Sequence, residues 1–258
     1  MLQTKPSGRP RNSVLSVSRQ GTSSRAGGRG TELNARGIRW LSSAFWVSKS
    51  AQPRLCLQAM PNSIEFWFDF ASTYSYVAAL RIESLCDAAG LNLIWKPFLL
   101  GPLFTERLGI QDSPFNAYPI RGAYMWRDLD RLCEKYSLPW RRPTAFPRNS
   151  VLAARVACIA SEEPWGGQFI RAAFLANFAE DLEIADPAIL ADLLEMQGAH
   201  SKGILERAAS PENKSRLRAQ TTEASRLGMF GAPNFIVSNE MFFGQDRLED
   251  AIEWESTH

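Results

Sequence analysis

The stretch Phe68–Tyr76, F-D-F-A-S-T-Y-S-Y, marks the point where a strand gives way to a helix. The run I-E-F-W-F-D-F at 64–70 is apolar and aromatic, which is typical of a buried strand. Apolar residues at helical spacing follow, so the pattern predicts a helix over 73–89. Two serines, Ser72 and Ser75, therefore stand three residues apart at the junction, and their purpose is the first question that the sequence raises.

The remaining pattern predicts a small sheet divided by a long helical segment. Residues 92–96 read as a second strand, which completes a strand–helix–strand unit. The helical period dominates from 100 to about 210, and Ser210-Pro211 opens a further helix. Two short strands at 234–237 and 240–243 and a helix over 246–254 follow. This order is the thioredoxin arrangement, interrupted by helices.

Charge is distributed unevenly along the 258 residues. Residues 1–59 carry ten Lys and Arg and one acidic residue, so residues 60–258 carry 19 basic and 26 acidic residues, a net charge of −7. An acidic body argues against a general nucleic-acid binder. No stretch approaches the roughly 20 apolar residues that a membrane-spanning helix needs.

Residues 1–59 are rich in Ser, Arg and Gly and have no sustained apolar period, so we expect them to be disordered and to add nothing to the fold. Their composition fits a mitochondrial transit peptide. The alternative is an over-extended reading frame whose natural start is Met60. We expect a cytoplasmic protein, or a mitochondrial one if the segment is a transit peptide.

The four cysteines show neither a C-x-x-C motif nor a metal-ligand spacing. The two histidines, His200 and His258, are too few for a histidine metal cluster and are expected at the surface. The sequence therefore predicts a reduced intracellular protein with no metal site.

Ser72-Thr73-Tyr74-Ser75 has the spacing at which redox members of this fold carry C-x-x-C, at the start of the first helix. Hydroxyls cannot form a disulfide, but they can hydrogen-bond the thiolate of a bound thiol and lower its pKa. Pro233, just before a predicted strand, is the second marker, since thioredoxin-like folds place a cis proline there facing the active-site loop.

These motifs resemble those of the 2-hydroxychromene-2-carboxylate isomerases and the kappa-class glutathione transferases, whose first helix opens with D-F-x-S-P-[YF]-S-[YW]. Thr73 departs from that pattern, because it stands where the family has proline. The other similar motifs are W-K-P-F-L-L-G at 95–101, Y-M-W-R-D-L at 124–129, F-P-R-N-S at 146–150 and F-G-Q-D-R-L at 243–248. The resemblance covers nearly all of the chain from Ile64 to Trp254.

The resemblance implies an α/β fold, a DsbA-like thioredoxin domain at about 62–100 and 210–256 with an all-helical insertion at about 101–209. It also implies a homodimer that binds glutathione and a small aromatic-derived substrate, with no nucleic-acid or membrane partner. By position, Ser72 would hold the glutathione sulfur and the Ala232 backbone, beside cis Pro233, would hold its cysteinyl part. Gln245 and Asp246 would bind the γ-glutamyl end, where an Asp suits the ammonium.

Each assignment has a plainer alternative. Ser72 and Asp246 could be helix caps only, and Asp69 a satisfied buried carboxylate. Lys96 could bind an anion at the site or simply close its strand in solvent. A larger group could line an aromatic pocket or pack in the core; its members are Trp126, Trp140, Phe115 and Tyr118.

The resemblance implies a glutathione-dependent isomerase that acts by reversible thiolate addition to a conjugated acid. A double bond then becomes single, rotation follows, and elimination returns the thiolate, in a step of aromatic-ring breakdown. The alternatives are a kappa-type glutathione transferase or peroxidase, and a DsbA-like module that binds thiols or peptides without catalysis.

Overall fold

The computed structural model describes residues 62–257, and the predictions for residues 1–59 lie outside this range. Four strands form one sheet. Their bounds are β1 Ser63–Phe68, β2 Asn92–Pro97, β3 Asn234–Val237 and β4 Glu240–Phe243. Each of the four strands predicted from local patterning is therefore present, and the bounds of β3 and β4 are those predicted.

The helices of the described part of the chain fall before, between and after the strands. Their bounds are α1 Thr73–Ala79, α2 Ile82–Ala89, α3 Leu100–Leu108, α4 Pro114–Ala117, α5 Pro119–Tyr136, α6 Val151–Ala160, α7 Gly166–Phe178, α8 Pro187–Met196, α9 Ser201–Ala209, α10 Pro211–Arg226 and α11 Leu248–Thr257, with a 3-10 turn at Gln245–Arg247. None of these helices is long and apolar enough to cross a membrane.

The strand order is β2-β1-β3-β4. β1 runs parallel to β2, so that Phe68 lies opposite Pro97. β1 runs antiparallel to β3, where Trp67 lies opposite Asn234. Because β1 and β3 are neighbours, the loop that follows β1 and the loop that precedes β3 meet at one end of the sheet. This is the mixed sheet expected of the thioredoxin arrangement.

The two faces of the sheet bury different cores. Alternate residues of β1, Ile64, Phe66 and Phe68, face the large core that α1, α6 and α7 complete. Trp67 points the other way, into a smaller cluster with Phe98 and residues of α3 and α10. Helices on both faces therefore fix β1, and with it the position at which the chain enters α1.

The predicted helix over 73–89 is two helices rather than one. Between them the chain forms a turn, in which the Arg81 N–H donates to the carbonyl three residues earlier, that of Ala78, at 3.0 Å. The Arg81 side chain lies over the Tyr136 ring, 3.6 Å from its centroid, and is ion-paired with Glu249. These partners come from α5 and α11, so the local apolar period could not show the break.

Candidate active site

Ser72 is the N-cap of α1, and its hydroxyl makes two hydrogen bonds. Its Oγ accepts from the Ser75 N–H at 3.1 Å and donates to the Ala232 carbonyl at 3.0 Å. The side chain is buried, with 7% of the residue exposed. The predicted sulfur-binding residue and the residue before the predicted cis proline are thus in direct contact across the sheet end.

Ser75, at the second position of the C-x-x-C spacing, is fully buried in α1. Its Oγ has no hydrogen-bond partner among residues 62–257. It occupies an ordinary helical position, whereas Ser72 faces the opposite loop. The two serines are therefore not equivalent.

The Ala232-Pro233 peptide is cis, as the thioredoxin arrangement predicts. The Pro233 carbonyl accepts the N–H of Gly244 at 3.0 Å, which ties this loop to the turn that carries Gln245 and Asp246. Gly244 has φ of 108°, and a Cβ there would lie 2.5 Å from the Asp246 carboxylate. A glycine is therefore required where the chain turns from β4 into this segment.

Gln245 and Asp246 differ in their surroundings. Gln245 is 7% exposed, and its Oε1 has no hydrogen-bond partner in the described part of the chain. Asp246 is exposed and is ion-paired with Arg247 at 3.2 Å. Since the 3-10 turn packs against α1, one buried acceptor and one exposed carboxylate lie beside the first helix.

Tyr74 adds a contact that the sequence did not predict. Its hydroxyl donates to Asp128 of α5 at 3.1 Å. Burial, and next the negative charge of Asp128, raises the pKa of Tyr74 above its ordinary value; the more distant charge of Asp246 acts in the same direction. On the same helix Arg127 pairs with Asp130 at 3.6 Å, whereas Asp128 anchors α1 through Tyr74.

Asp69 is the buried carboxylate that the sequence suggested, at 3% exposure. It accepts the N–H of Ala71 at 2.9 Å and that of Leu100 at 2.7 Å. Burial raises the pKa of Asp69 above its ordinary value, although these hydrogen bonds pull it down. Its contacts hold the loop after β1, which makes it a structural carboxylate next to Ser72.

Lys96 lies in a different place from the other predicted site residues. Its ammonium is 3.3 Å from the Glu65 carboxylate, at a cleft of about 340 Å³ whose lining also includes Trp67, Gln220 and Glu223. Within residues 62–257, neither Ser72 nor Ala232 lines that cleft. The structure thus joins Ser72, Ala232 and the Gln245–Asp246 turn, and it leaves Lys96 with Glu65.

The candidate aromatic residues divide between core and surface. The rings of Trp126 and Trp140 stack, with their centroids 6.1 Å apart. The ring centroids of Trp126 and Phe146 are 4.8 Å apart, so both indoles pack within the helical layer. Phe115 lies 6.2 Å from the Tyr74 ring, and Tyr118 is half exposed. Core packing therefore explains the two tryptophans.

The three cysteines of the described part of the chain are buried. Burial raises the pKa of Cys86 to about 12 and those of Cys133 and Cys158 to about 11, and all three thiols are free. Residues 62–257 hold no group of three or more His, Cys, Asp or Glu that could bind a metal ion. His200 is exposed, as predicted. The homodimer and the roles assigned to individual site residues stay predictions.

Similarity to known proteins agrees with this geometry. The chain is 27% identical over 190 residues to a 2-hydroxychromene-2-carboxylate isomerase of Sphingobium xenophagum, covering 74% of this chain and 96% of that protein. It is also 27% identical over 207 residues to the human glutathione S-transferase kappa 1, covering 74% and 89% of the two chains.

A solved 2-hydroxychromene-2-carboxylate isomerase structure shares the fold, with a TM-score of 0.67 at 23% sequence identity over 75% of this chain and 94% of that one. The family model described as the DSBA-like thioredoxin domain matches residues 63–253, which span all four strands and the Ser72 and Pro233 loops. With its sheet order, its cis proline and its serine at the start of α1, the chain belongs to the DsbA-like thioredoxin family.

Proposed function

We propose that the protein is a glutathione-dependent isomerase of the 2-hydroxychromene-2-carboxylate isomerase type. One observation carries the proposal, namely the hydrogen bond of 3.0 Å from the Ser72 hydroxyl to the Ala232 carbonyl. It brings a hydroxyl at a helix start together with a backbone segment beside a cis proline. A thiol that carries peptide groups on both sides would find a partner for its sulfur and for its backbone in this one place.

The residues at the sheet end fit glutathione. The buried Oε1 of Gln245 has no partner in the described chain, and an unpaired buried acceptor is costly, so a donor such as an ammonium or amide N–H would satisfy it. The exposed carboxylate of Asp246 next to it suits the γ-glutamyl ammonium. Ala232 would offer its backbone to the cysteinyl part.

Glutathione, when bound, would supply a thiol nucleophile that is regenerated at the end of the cycle. The chain's own contribution is to favour the charged form of that thiol. The Ser72 hydroxyl has one proton, which it now gives to Ala232, so it can serve either that carbonyl or a bound sulfur, but not both. The Ser75 N–H holds the Ser72 oxygen in place during either arrangement.

The glutathione-transferase alternative has a specific basis, because the human kappa-class relative is as similar in sequence as the isomerase. The two functions differ in the fate of glutathione. An isomerase returns it, whereas a transferase consumes one molecule for each product.

The deciding experiment incubates the protein with 2-hydroxychromene-2-carboxylate and a tenfold smaller amount of glutathione. Many turnovers per glutathione, absent when glutathione is omitted, are expected of the isomerase. Consumption of glutathione with an isolated conjugate on this or another electrophile would make the protein a transferase instead. Glutathione binding by calorimetry without turnover on any conjugated acceptor would indicate the binding module.

A further inference from the structure

The motif F-P-R-N-S at 146–150, between α5 and α6, contains a buried cation that the proposed chemistry does not use. The side chain of Arg148 is only 3% exposed. Arginine is rarely buried without partners, and here it is ion-paired with Asp181. It also donates to the Asn177 carbonyl at 3.1 Å and to the Asn177 side-chain Oδ1 at 3.0 Å.

This contact fixes the orientation of the Asn177 amide. A guanidinium only donates hydrogen bonds, so it selects the oxygen of the amide and turns the nitrogen away. The nitrogen then donates to the Phe70 carbonyl at 2.8 Å. Asn177 is 1% exposed, so no water competes for its side chain.

Phe70 belongs to the segment 69–72, called the Ser72 loop, which follows the last residue of β1 and has no strand partner. Within it, Asp69 accepts the Ala71 N–H through its carboxylate and the Ser72 N–H through its carbonyl, both at 2.9 Å. The Ser150 side chain lies near the same carboxylate and acts to lower the pKa of Asp69. The F-P-R-N-S segment is thus connected to the loop through Arg148 and Asn177, which reach the Phe70 carbonyl.

We propose that Asn177, oriented by Arg148, is a positioning residue for Ser72, because its amide fixes the Phe70 carbonyl and so the place where the Ser72 hydroxyl meets a bound thiol. The proposal rests on the proposed function. It gives a residue of helix α7 an indirect role in the chemistry proposed at Ser72. A displacement of about 1 Å at such a group costs on the order of tenfold to a hundredfold in rate.

The test is Asn177→Asp, which keeps size and the contact with Arg148 but removes the donor to Phe70. Asn213→Asp is the matched control, since Asn213 is also buried and its amide also donates to a carbonyl, that of Arg155, at 2.8 Å. Both variants are expected to lose stability. Only Asn177→Asp should lower kcat about tenfold or more and raise the pKa of the bound glutathione thiol. Its affinity for glutathione should stay nearly unchanged.

Hydrogen exchange of the Ser75 amide gives a readout that needs no activity, because Ser72 Oγ caps that amide. Relative to the amides of β3, it should exchange at least several-fold faster in Asn177→Asp and not in Asn213→Asp. This comparison still decides the proposal if the wild-type protein neither binds nor turns over with glutathione, in which case the proposed function alone fails.

If Asn177→Asp does not fold, Arg148→Lys decides, since an ammonium keeps the charge beside Asp181 but cannot hold the Asn177 amide with the same fork. Lowered kcat and faster Ser75 exchange in Arg148→Lys would support the proposal. The proposal would be overturned if Asn177→Asp and Asn213→Asp lose stability equally while kcat, the pKa of the bound thiol and the exchange rate of the Ser75 amide stay unchanged. Asn177 would then serve folding only.

Discussion

The Ser72 hydroxyl and the Ala232 carbonyl, 160 positions apart in the chain, are joined by a hydrogen bond of 3.0 Å. The single hydroxyl proton of Ser72 is used in this bond, whereas the proposed chemistry needs it for a hydrogen bond to the thiolate. When a thiol binds between the two loops, the Ser72 hydroxyl must therefore turn and donate its hydrogen bond to the sulfur instead of the Ala232 carbonyl. The proposed site is held together by the same group that would act in it, which makes Ser72 a sensitive position for both stability and turnover.

Ser72→Ala should lower turnover at neutral pH by on the order of ten- to a hundredfold, because it removes one hydrogen bond to an anion, worth roughly 1.5–3 kcal/mol. It should also lower the free energy of unfolding by about 1 kcal/mol, since the cap of α1 is lost. Steady-state kinetics and urea unfolding measure the two effects.

Ser75→Ala is the matched control for that change, because it removes a buried hydroxyl that has no partner in the described chain. We expect unchanged turnover and an equal or higher free energy of unfolding. If the two alanine variants behave alike, Ser72 has no special role and the serine-based mechanism is wrong.

Asp246→Ala should weaken glutathione binding while kcat at saturating glutathione stays close to the wild-type value. The effect is up to about fivefold in Kd, since an exposed ion pair contributes little. Asp250→Ala is matched in charge, and Asp250 also pairs with Arg247, at 2.6 Å. Calorimetric titration of both variants should show weaker binding for Asp246→Ala only; equal losses would point to a general charge effect.

The protein should have no dithiol oxidoreductase activity. Serines occupy both positions of the C-x-x-C spacing, and the raised pKa values of Cys86, Cys133 and Cys158 leave on the order of one thiolate in ten thousand at pH 7 for a pKa near 11. In a Cys56→Ser background, insulin reduction should be absent, and iodoacetamide should label these thiols only after denaturation. Rapid labelling of the native protein would contradict the buried placement.

Asp69 predicts a pH dependence of stability. Because burial raises its pKa in the folded protein, the folded state binds the proton more tightly than the unfolded state does. Its contribution to stability is therefore fully present below the unfolded pKa, about 3.9, and is lost as pH rises through the folded pKa. Wild type should lose stability relative to Asp69→Asn as pH rises from about 4. Urea unfolding at a series of pH values measures this difference, and a flat or opposite trend would refute it.

Local patterning predicted the elements that local forces control. The aromatic run of β1, the short strands at 234–237 and 240–243, and the position of Ser72 at a helix start are all recovered in the structure. Alternation, helical period and capping act over a few residues, so a single sequence displays them. The resemblance at Ser72, Pro233 and 243–248 added the family, which the match over 63–253 confirms.

Contacts between distant segments were decided by the tertiary structure alone. Arg81, between α1 and α2, contacts Tyr136 and Glu249 from distant helices, and Lys96 lies with Glu65 because of the register of β2 against β1. By itself the sequence determined a thioredoxin-type order of elements and a serine at the start of the first helix. The thioredoxin arrangement already predicted that the Pro233 segment faces the Ser72 loop. Only the folded chain decided the hydrogen bonds from Ser72 to Ala232 and from Asn177 to Phe70, because bonds over 160 and 107 positions follow from strand order and helix packing, which no local pattern records.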